Sequence, residues 1–333
     1  MNIVILNDTR ADMHHGCTRV MRLLEEGLHR HDMTIVARSP VHHDWENDSA
    51  LREAMLRADL IIVNGEGTLH HGKSGAARLL RVTEFAGDVP VALINALYQE
   101  NPPEWSKWLN RLSYIATRDR RSADEIESVT GQRPVVVPDL TLSARIAERP
   151  VTAPVIFGDS VKSEISDLLA KRALLDQLPL VPSLSALKRT KSGSTLVRRV
   201  RRWWIARLTA RTLARNPTMS LCQTEDDYAD RIARAGLHVT GRFHGACYSM
   251  AAGMPFLAIS SNSWKIEALI ADAGLAPWRV VDAANLDDAL LRTPDALAFS
   301  AEEKAALDAF LDEAARGAEK MFAELRNLAA RRH

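Results

Sequence analysis

The sequence predicts an α/β protein built from two doubly wound, Rossmann-like domains. Short β-branched runs alternate with amphipathic helical stretches along the chain, and those runs are apolar on both faces. A loop with two prolines, Arg149-Pro150-Val151-Thr152-Ala153-Pro154, separates two such series. Doubly apolar strands joined by single helices form parallel sheets covered on both sides. A length of 333 residues suits two medium domains of roughly 100–200 residues each. The boundaries are placed at 1–150, 151–300 and, for a helical tail, 301–333.

In the first series Ile3-Val4-Ile5-Leu6 is a buried strand and Cys17 to His31 a helix with Val20, Leu23, Leu24 and Leu28 on one face. Strands at Thr34-Ile35-Val36, Leu60-Ile61-Ile62-Val63, Val89 to Ile94, Tyr114-Ile115-Ala116 and Val135-Val136-Val137 follow, all but the one at Tyr114 reached through a helical stretch. The second series opens with the strand Val155-Ile156-Phe157 and a helix from Glu164 to Leu178. Thr224 with Asp227 three residues on is an N-terminal capping pair, and Gly236 reads as the left-handed stop of that helix. Strands at Leu237-His238-Val239 and Phe256 to Ile259 alternate with helices that end at Gly253 and Gly274. From Ala301 to Arg331 an apolar stripe of Leu307, Phe310, Leu311, Met321, Phe322, Leu325 and Leu328 marks one long helix or two.

Composition excludes several classes. A hydrophobic fraction of 46% is incompatible with a disordered chain. With 43 Lys+Arg against 42 Asp+Glu the formal charge is +1, so the surface as a whole is no nucleic-acid binder. Three cysteines with no Cys-x-x-Cys spacing indicate neither a disulfide framework nor a zinc knuckle. There is no basic leader and no stretch approaching roughly 18 apolar residues, so the expected location is cytoplasmic.

Ligands of open α/β sheets collect outside the carboxyl ends of strands, and three such segments are unusual. The first runs from Asn7 to Gly16 and contains His14 and His15. The second is Asn64-Gly65-Glu66-Gly67-Thr68-Leu69-His70-His71-Gly72, where the glycines permit close backbone approach and Glu66 and the histidines offer acid–base groups. The competing reading is a tight turn with incidental polar residues. The third, Thr240-Gly241-Arg242-Phe243-His244-Gly245, joins a strand to a helix. Its free N–H groups favour an anion, Arg242 adds a planar fork, and His244 reaches the same ligand as a candidate general acid. The plainer alternative pairs Arg242 with a carboxylate and lets His244 cap the helix. Downstream, Asn262 and Lys265 sit at another helix start. The pairs His14-His15, His42-His43 and His70-His71 lack the spacing of a one-element metal site, so no metal is expected. A site assembled from His15, His71 and Glu66 is the competing case.

Taken together, Val239-Thr240-Gly241-Arg242-Phe243-His244-Gly245, Gly253-Met254-Pro255-Phe256 and Lys265 resemble the Arg-x-His signature, Gly-x-Pro strand entry and lysine of the polysaccharide pyruvyl transferase family. The glycine segment after Val63, Arg118 after Ile115-Ala116-Thr117, and Pro138-Asp139 add to the resemblance, which spans about residues 1–275. It implies a GT-B-like architecture, two domains facing a cleft with the C-terminal helix returning to the first. It also implies transfer of pyruvate from phosphoenolpyruvate to a sugar of a cell-surface glycan or its lipid-linked precursor as a ketal, with no cofactor. On that reading Arg242, His244 and Glu66 are catalytic, and Gly241, Gly245, Lys265, Arg118 and Asn262 hold the donor. Asn7, His14, His15, Asn64, Gly65, Gly67, His70, His71 and Asp139 lie on the acceptor side, with His71, His15 and Asp139 as alternative bases. A GT-B glycosyltransferase using a sugar nucleotide and a non-catalytic glycan-assembly binding protein are the alternatives.

Between Gln177 and Thr224 there is no acidic residue, while ten Lys and Arg fall there, so the near-zero total conceals a basic arm over 186–216. Val197, Val200, Trp204 and Leu208 share a helical face beside Trp203, flanked by Arg198, Arg199, Arg201 and Arg202. A basic amphipathic helix with paired tryptophans suits an anionic membrane surface, here the inner face of the cytoplasmic membrane, rather than nucleic acid. The competing arrangement packs this helix on the second domain with its arginines in solvent.

Overall fold

The computed structural model describes residues 1–186, 195–290 and 294–332. β1 (Asn2–Asp8), β2 (Thr34–Pro40), β3 (Leu60–His70), β4 (Val91–Gln99), β5 (Tyr114–Thr117) and β6 (Val135–Val136) form one sheet in the order β2-β1-β3-β4-β5-β6. β7 (Ile156–Ser160), β8 (His238–Gly241), β9 (Phe256–Ile259) and β10 (Val280–Val281) form a second in the order β10-β9-β8-β7. Every pairing is parallel, as both-face apolar runs require. The helices that bear on the site are α1 (His15–Arg30), α2 (Thr195–Arg215), α3 (Glu225–Ala233), α4 (Phe243–Ala251), α5 (Lys265–Asp272) and α6 (Ala301–Ala330). Among the described residues no helix is long and apolar enough to cross a membrane.

The strand order of the first sheet reverses between β1 and β3, and such a switch point opens a crevice at the carboxyl ends. Leu6 pairs with Val63 and Val63 with Leu93, so Asn7 and Asn64 emerge side by side. The segment after Val63, expected as a loop, instead continues β3 to His70, paired with β4 through Glu66–Ala96, Leu69–Tyr98 and His70–Gln99 across a register shift. Gly65 makes that continuation possible, because a Cβ there would stand 2.6 Å from the Cβ of Ala96. Gly253 and Gly274 take the left-handed conformation expected of helix stops. Gly236 does not; its φ is ordinary, and its lack of a side chain serves approach to the Pro154 carbonyl, 2.7 Å from where a Cβ would be. The Thr224–Asp227 capping box on α3 is present.

The tail forms one helix that packs on both halves. Leu307, Phe310, Leu311 and Ala314 join the core of the second sheet with Phe256, Ile266 and Leu269. Ala318, Met321, Phe322, Leu325 and Leu328 cover the face of the first sheet shared by Ile3, Ile5, Leu60 and Ile62, alongside Val20 and Leu24 of α1. α1 and α6 meet at Gly27, where a Cβ would lie 2.2 Å from the ring of the buried Phe322. Gly27→Ala is therefore expected to destabilise the protein by about 1–3 kcal/mol through overpacking. A lowered urea midpoint, partly restored by adding Phe322→Leu, is the measurement that checks it.

Candidate active site

A cavity of about 280 Å³ lies between the carboxyl ends of the two sheets. On the second-domain side, β8 ends at Gly241 and Arg242 precedes the first turn of α4. A side chain at Gly241 would strike Ser160 on β7, and one at Gly245 would strike Thr240. These glycines set strand against strand and helix against strand, and so fix Arg242 and His244 between them. Arg242 pairs with Asp159 through Nε at 2.8 Å and Nη2 at 2.6 Å while keeping a place on the cavity wall. The plainer reading of Arg242 thus holds in part.

Asp159 accepts in turn from the backbone N–H and hydroxyl of Ser183, at 2.8 and 2.7 Å. The Ser183 hydroxyl lies 3.1 Å from Nε2 of His14, whose Nδ1 accepts from the Gly16 N–H at 3.0 Å and caps α1. With Nδ1 an acceptor, the hydrogen-bond network assigns the proton to Nε2. Burial, reinforced by His244 and Arg242, pushes the His14 imidazole well below its ordinary value, so it is neutral. A continuous chain His14–Ser183–Asp159–Arg242 therefore crosses from one domain to the other.

His244 stands opposite. Its Nε2 is buried without a hydrogen bond, 3.7 Å from Glu66 Oε1 and 3.8 Å from Asp139 Oδ2. Its ring packs against the first turn of α1, where a Cβ at Gly16 would stand 2.2 Å from His244 Cγ. The N-termini of α1 and α4 thus converge on one space. Burial raises the Asp139 carboxyl, but His244, Arg118 and the Thr141 N–H outweigh it and hold the group well below the usual carboxylate range. Arg118 is buried, stacks 4.0 Å from the centre of the Phe243 ring, and gives one N–H to Asp139 at 3.3 Å. Its Nε and Nη2 have no hydrogen bond, so Arg118 brings two buried cationic donors to the wall of the cavity, where an anion would satisfy them.

Glu66 accepts from the Thr9 hydroxyl, from Cys17 Sγ at 3.0 Å and from Asn64 Nδ2 at 3.3 Å. Its φ of 38° is strained for a long side chain, the kind of strain that collects at functional sites. Lys265 lines the same cavity and donates to Asn262 at 3.1 Å. Burial, with Arg118 and Arg242 nearby, pushes its ammonium down to about 7.

Of the expected site residues, Glu66, Gly67, His14, Arg118, Arg242, His244 and Lys265 line the cavity, and Asp139 backs it. Asn7 and Asn64 brace the ends of β1 and β3, with Asn7 Nδ2 donating to the Asn64 carbonyl at 2.7 Å. His15 turns away and stacks on Tyr228 at 5.0 Å. His70 is engaged by His71 and Lys73, and His71 faces Glu100 at 3.2 Å on the surface. Because β3 runs on to His70, both histidines are carried past the cavity, and the set His15, His71 and Glu66 is not assembled. Gly65 packs on Ala96 and Asn262 is exposed. Asp159, Ser183, Asp12, Cys17 and Leu184 were not anticipated; Asp159 at a strand end carried a usable signal.

Among the described residues His14, Cys17 and His244 bring three ligand-type atoms within 4.8 Å of one another. This donor set suits a resident metal poorly. Both His14 nitrogens are engaged, and burial and Glu66 push the Cys17 thiol well above its ordinary value, away from the thiolate a metal needs.

The architecture is that of GT-B enzymes. An O-GlcNAc transferase mutant from Thermobaculum terrenum superposes with a TM-score of 0.53 at 13% identity, over 100% of this chain and 69% of its own. The glycotransferase of kitacinnamycin gives 0.50 at 11% identity, with 98% of each chain covered. A functional uncharacterized protein from Klebsiella pneumoniae gives 0.50 at 11%, covering 84% of this chain and 92% of its own. At such identities the likeness is one of fold. No curated protein sequence matches the chain. The sequence profile described as polysaccharide pyruvyl transferase matches residues 19–263, a span that contains Glu66, Arg118, Asp139, Arg242 and His244. With most of the cavity wall inside that match, the chain belongs to the polysaccharide pyruvyl transferase family.

Proposed function

We propose that the protein transfers the pyruvyl group of phosphoenolpyruvate to two hydroxyls of one sugar, in a glycan or its lipid-linked precursor, as a cyclic ketal. The observation that carries this reading is the convergence of Arg118, Arg242, Lys265 and two helix N-termini with His244 on a cavity of about 280 Å³. Small-molecule pockets run roughly 300–1,000 Å³, so this one favours a compact, multiply anionic donor over a sugar nucleotide.

In this mechanism the arginines and Lys265 bind the donor's carboxylate and phosphate. His244 gives its proton to the methylene carbon, making a methyl group and an oxocarbenium-like centre at the adjacent carbon. A sugar hydroxyl attacks that carbon and loses its proton to Glu66. Departure of inorganic phosphate, with cleavage of its bond to that carbon, regenerates the cationic centre, and the second hydroxyl closes the ring and gives its proton back to His244. Asp139 is a poor acceptor because its neighbours hold it ionised; its part is to face the His244 proton. Glu66 accepts two hydrogen bonds on Oε2 and one on Oε1, which leaves a lone pair on Oε1 toward His244 and the cavity, and it is the base in this reading.

Sustained phosphate release from phosphoenolpyruvate with a glycan acceptor, and a product that carries the ketal, supports this assignment. Turnover with a sugar nucleotide alone would replace it with glycosyl transfer, and failure of any donor to bind at millimolar concentration would favour a scaffolding role.

Lys265 adds a pH signature. Its charge is present below about pH 7 and lost above, and an anionic donor binds the charged form better, so donor KM should rise as pH climbs from 7 to 9. In Lys265→Arg, which stays charged, KM should remain flat over that interval. Matching pH profiles for the two proteins would remove Lys265 from the donor site.

A further inference from the structure

We infer that α2 is a docking surface for an anionic lipid bilayer. The helix has 21 residues, and none of its described side chains is buried. Ile205, Leu208, Thr209, Thr212 and Leu213 are half-buried and mark the side turned toward the protein. At about 100° per residue, Val197, Val200, Trp203 and Trp204 fall together on the other side. They are 43%, 58%, 61% and 49% exposed. Packing on the second domain would have hidden this apolar stripe and left only the arginines in solvent; the structure exposes both.

Charge selects the occupant. Arg207 and Arg211 lie within the stripe, Arg199 and Arg201 border it, and Arg207 sits 5.5 Å from the centre of the Trp203 ring. No acidic residue occurs between Gln177 and Thr224. A second copy docked through this face would oppose like charges. Lys188, Arg189 and Lys191 lie outside the described residues, as does the side chain of Arg198. Exposed tryptophans interleaved with arginines match the headgroup region of an anionic bilayer, where indole rings sit at the apolar boundary and guanidinium groups meet phosphate.

The arm is rooted beside the cavity. Before it, Leu184 lines the cavity wall and bridges to His14; after it, Met219 pairs with Leu180, which pairs with Phe157 of β7. Docking would bring the cavity within reach of a saccharide carried on a lipid. That consequence rests on the function proposed above, whereas the docking itself does not.

The test uses the full chain with sedimenting vesicles, either phosphatidylglycerol with phosphatidylcholine or phosphatidylcholine alone, and requires no turnover. Binding should be at least about tenfold stronger to the anionic vesicles and should fall as salt is raised. It should also drop about tenfold in Trp203→Ser with Trp204→Ser, and separately in Arg199→Gln with Arg207→Gln and Arg211→Gln, with circular dichroism unchanged in both. Equal binding to the neutral vesicles overturns the proposal, as does either variant binding like the parent. Tighter, tryptophan-independent binding to RNA would likewise overturn it in favour of a polyanion site.

Discussion

His244→Ala is expected to cut the rate of phosphate release from phosphoenolpyruvate by about 10²–10⁴, the usual contribution of a positioned general acid. The reason lies in the position of one nitrogen. Nε2 is the buried imidazole atom without a hydrogen bond on the cavity wall, and it faces two carboxylates without being tied to either. A donor on that nitrogen has no hydrogen bond to give up before it reaches a carbon acceptor. The arginines proposed to hold the donor remain in this variant, so the loss should fall on kcat more than on donor KM. A variant that keeps its folded spectrum and its donor affinity but also its full rate would transfer the acid role elsewhere.

Gly16→Ala should come close to that loss without touching any reacting group. The added methyl would meet Cγ and Cβ of His244 at 2.2 and 2.3 Å, and Cβ is fixed to the backbone, so no rotamer change can move it aside. Either α1 backs away from α4 or the imidazole leaves its place between Glu66 and Asp139. Displacements of about 1 Å from reactive geometry cost on the order of 10²-fold in rate, with about 1–3 kcal/mol of stability lost to overpacking. Gly75→Ala, at the second position of the helix Ser74–Leu80 as Gly16 is of α1, adds a Cβ that meets nothing within 4 Å, and as the matched control it should leave rate and urea midpoint near the parent's. Full activity in Gly16→Ala would show that contact between the two helix ends does not position His244.

The Arg-x-His segment was legible in the sequence because Gly241, Arg242, His244 and Gly245 follow one strand contiguously, and local geometry alone brings them to a sheet end. Arg118, Asp139 and Glu66 were legible for the same reason, each standing at or just past a strand. What escaped was the chain between them. Asp159 and Arg242 are 83 positions apart and meet only once β7 pairs with β8, while Ser183 and His14 are 169 apart and meet only once the two domains face each other. The histidine pairs show the limit of reading residue types. Within His14-His15 one ring reaches the cavity and the other stacks on Tyr228, while His70-His71 lies beyond it because Gly65 lets β3 continue.

The position of α6 bears on how the protein is made. Ala318 to Ala329 cover a face of the first sheet whose strands are complete by Val136. At about 5–20 residues per second, the ribosome needs on the order of 10–40 s to pass from there to the covering residues. Through that interval Ile3, Ile5 and Ile62 have only α1 on that face, and the part that Met321, Phe322 and Leu325 cover stays open. Until the tail arrives, the nascent first sheet carries apolar surface of the kind that makes folding intermediates prone to aggregate.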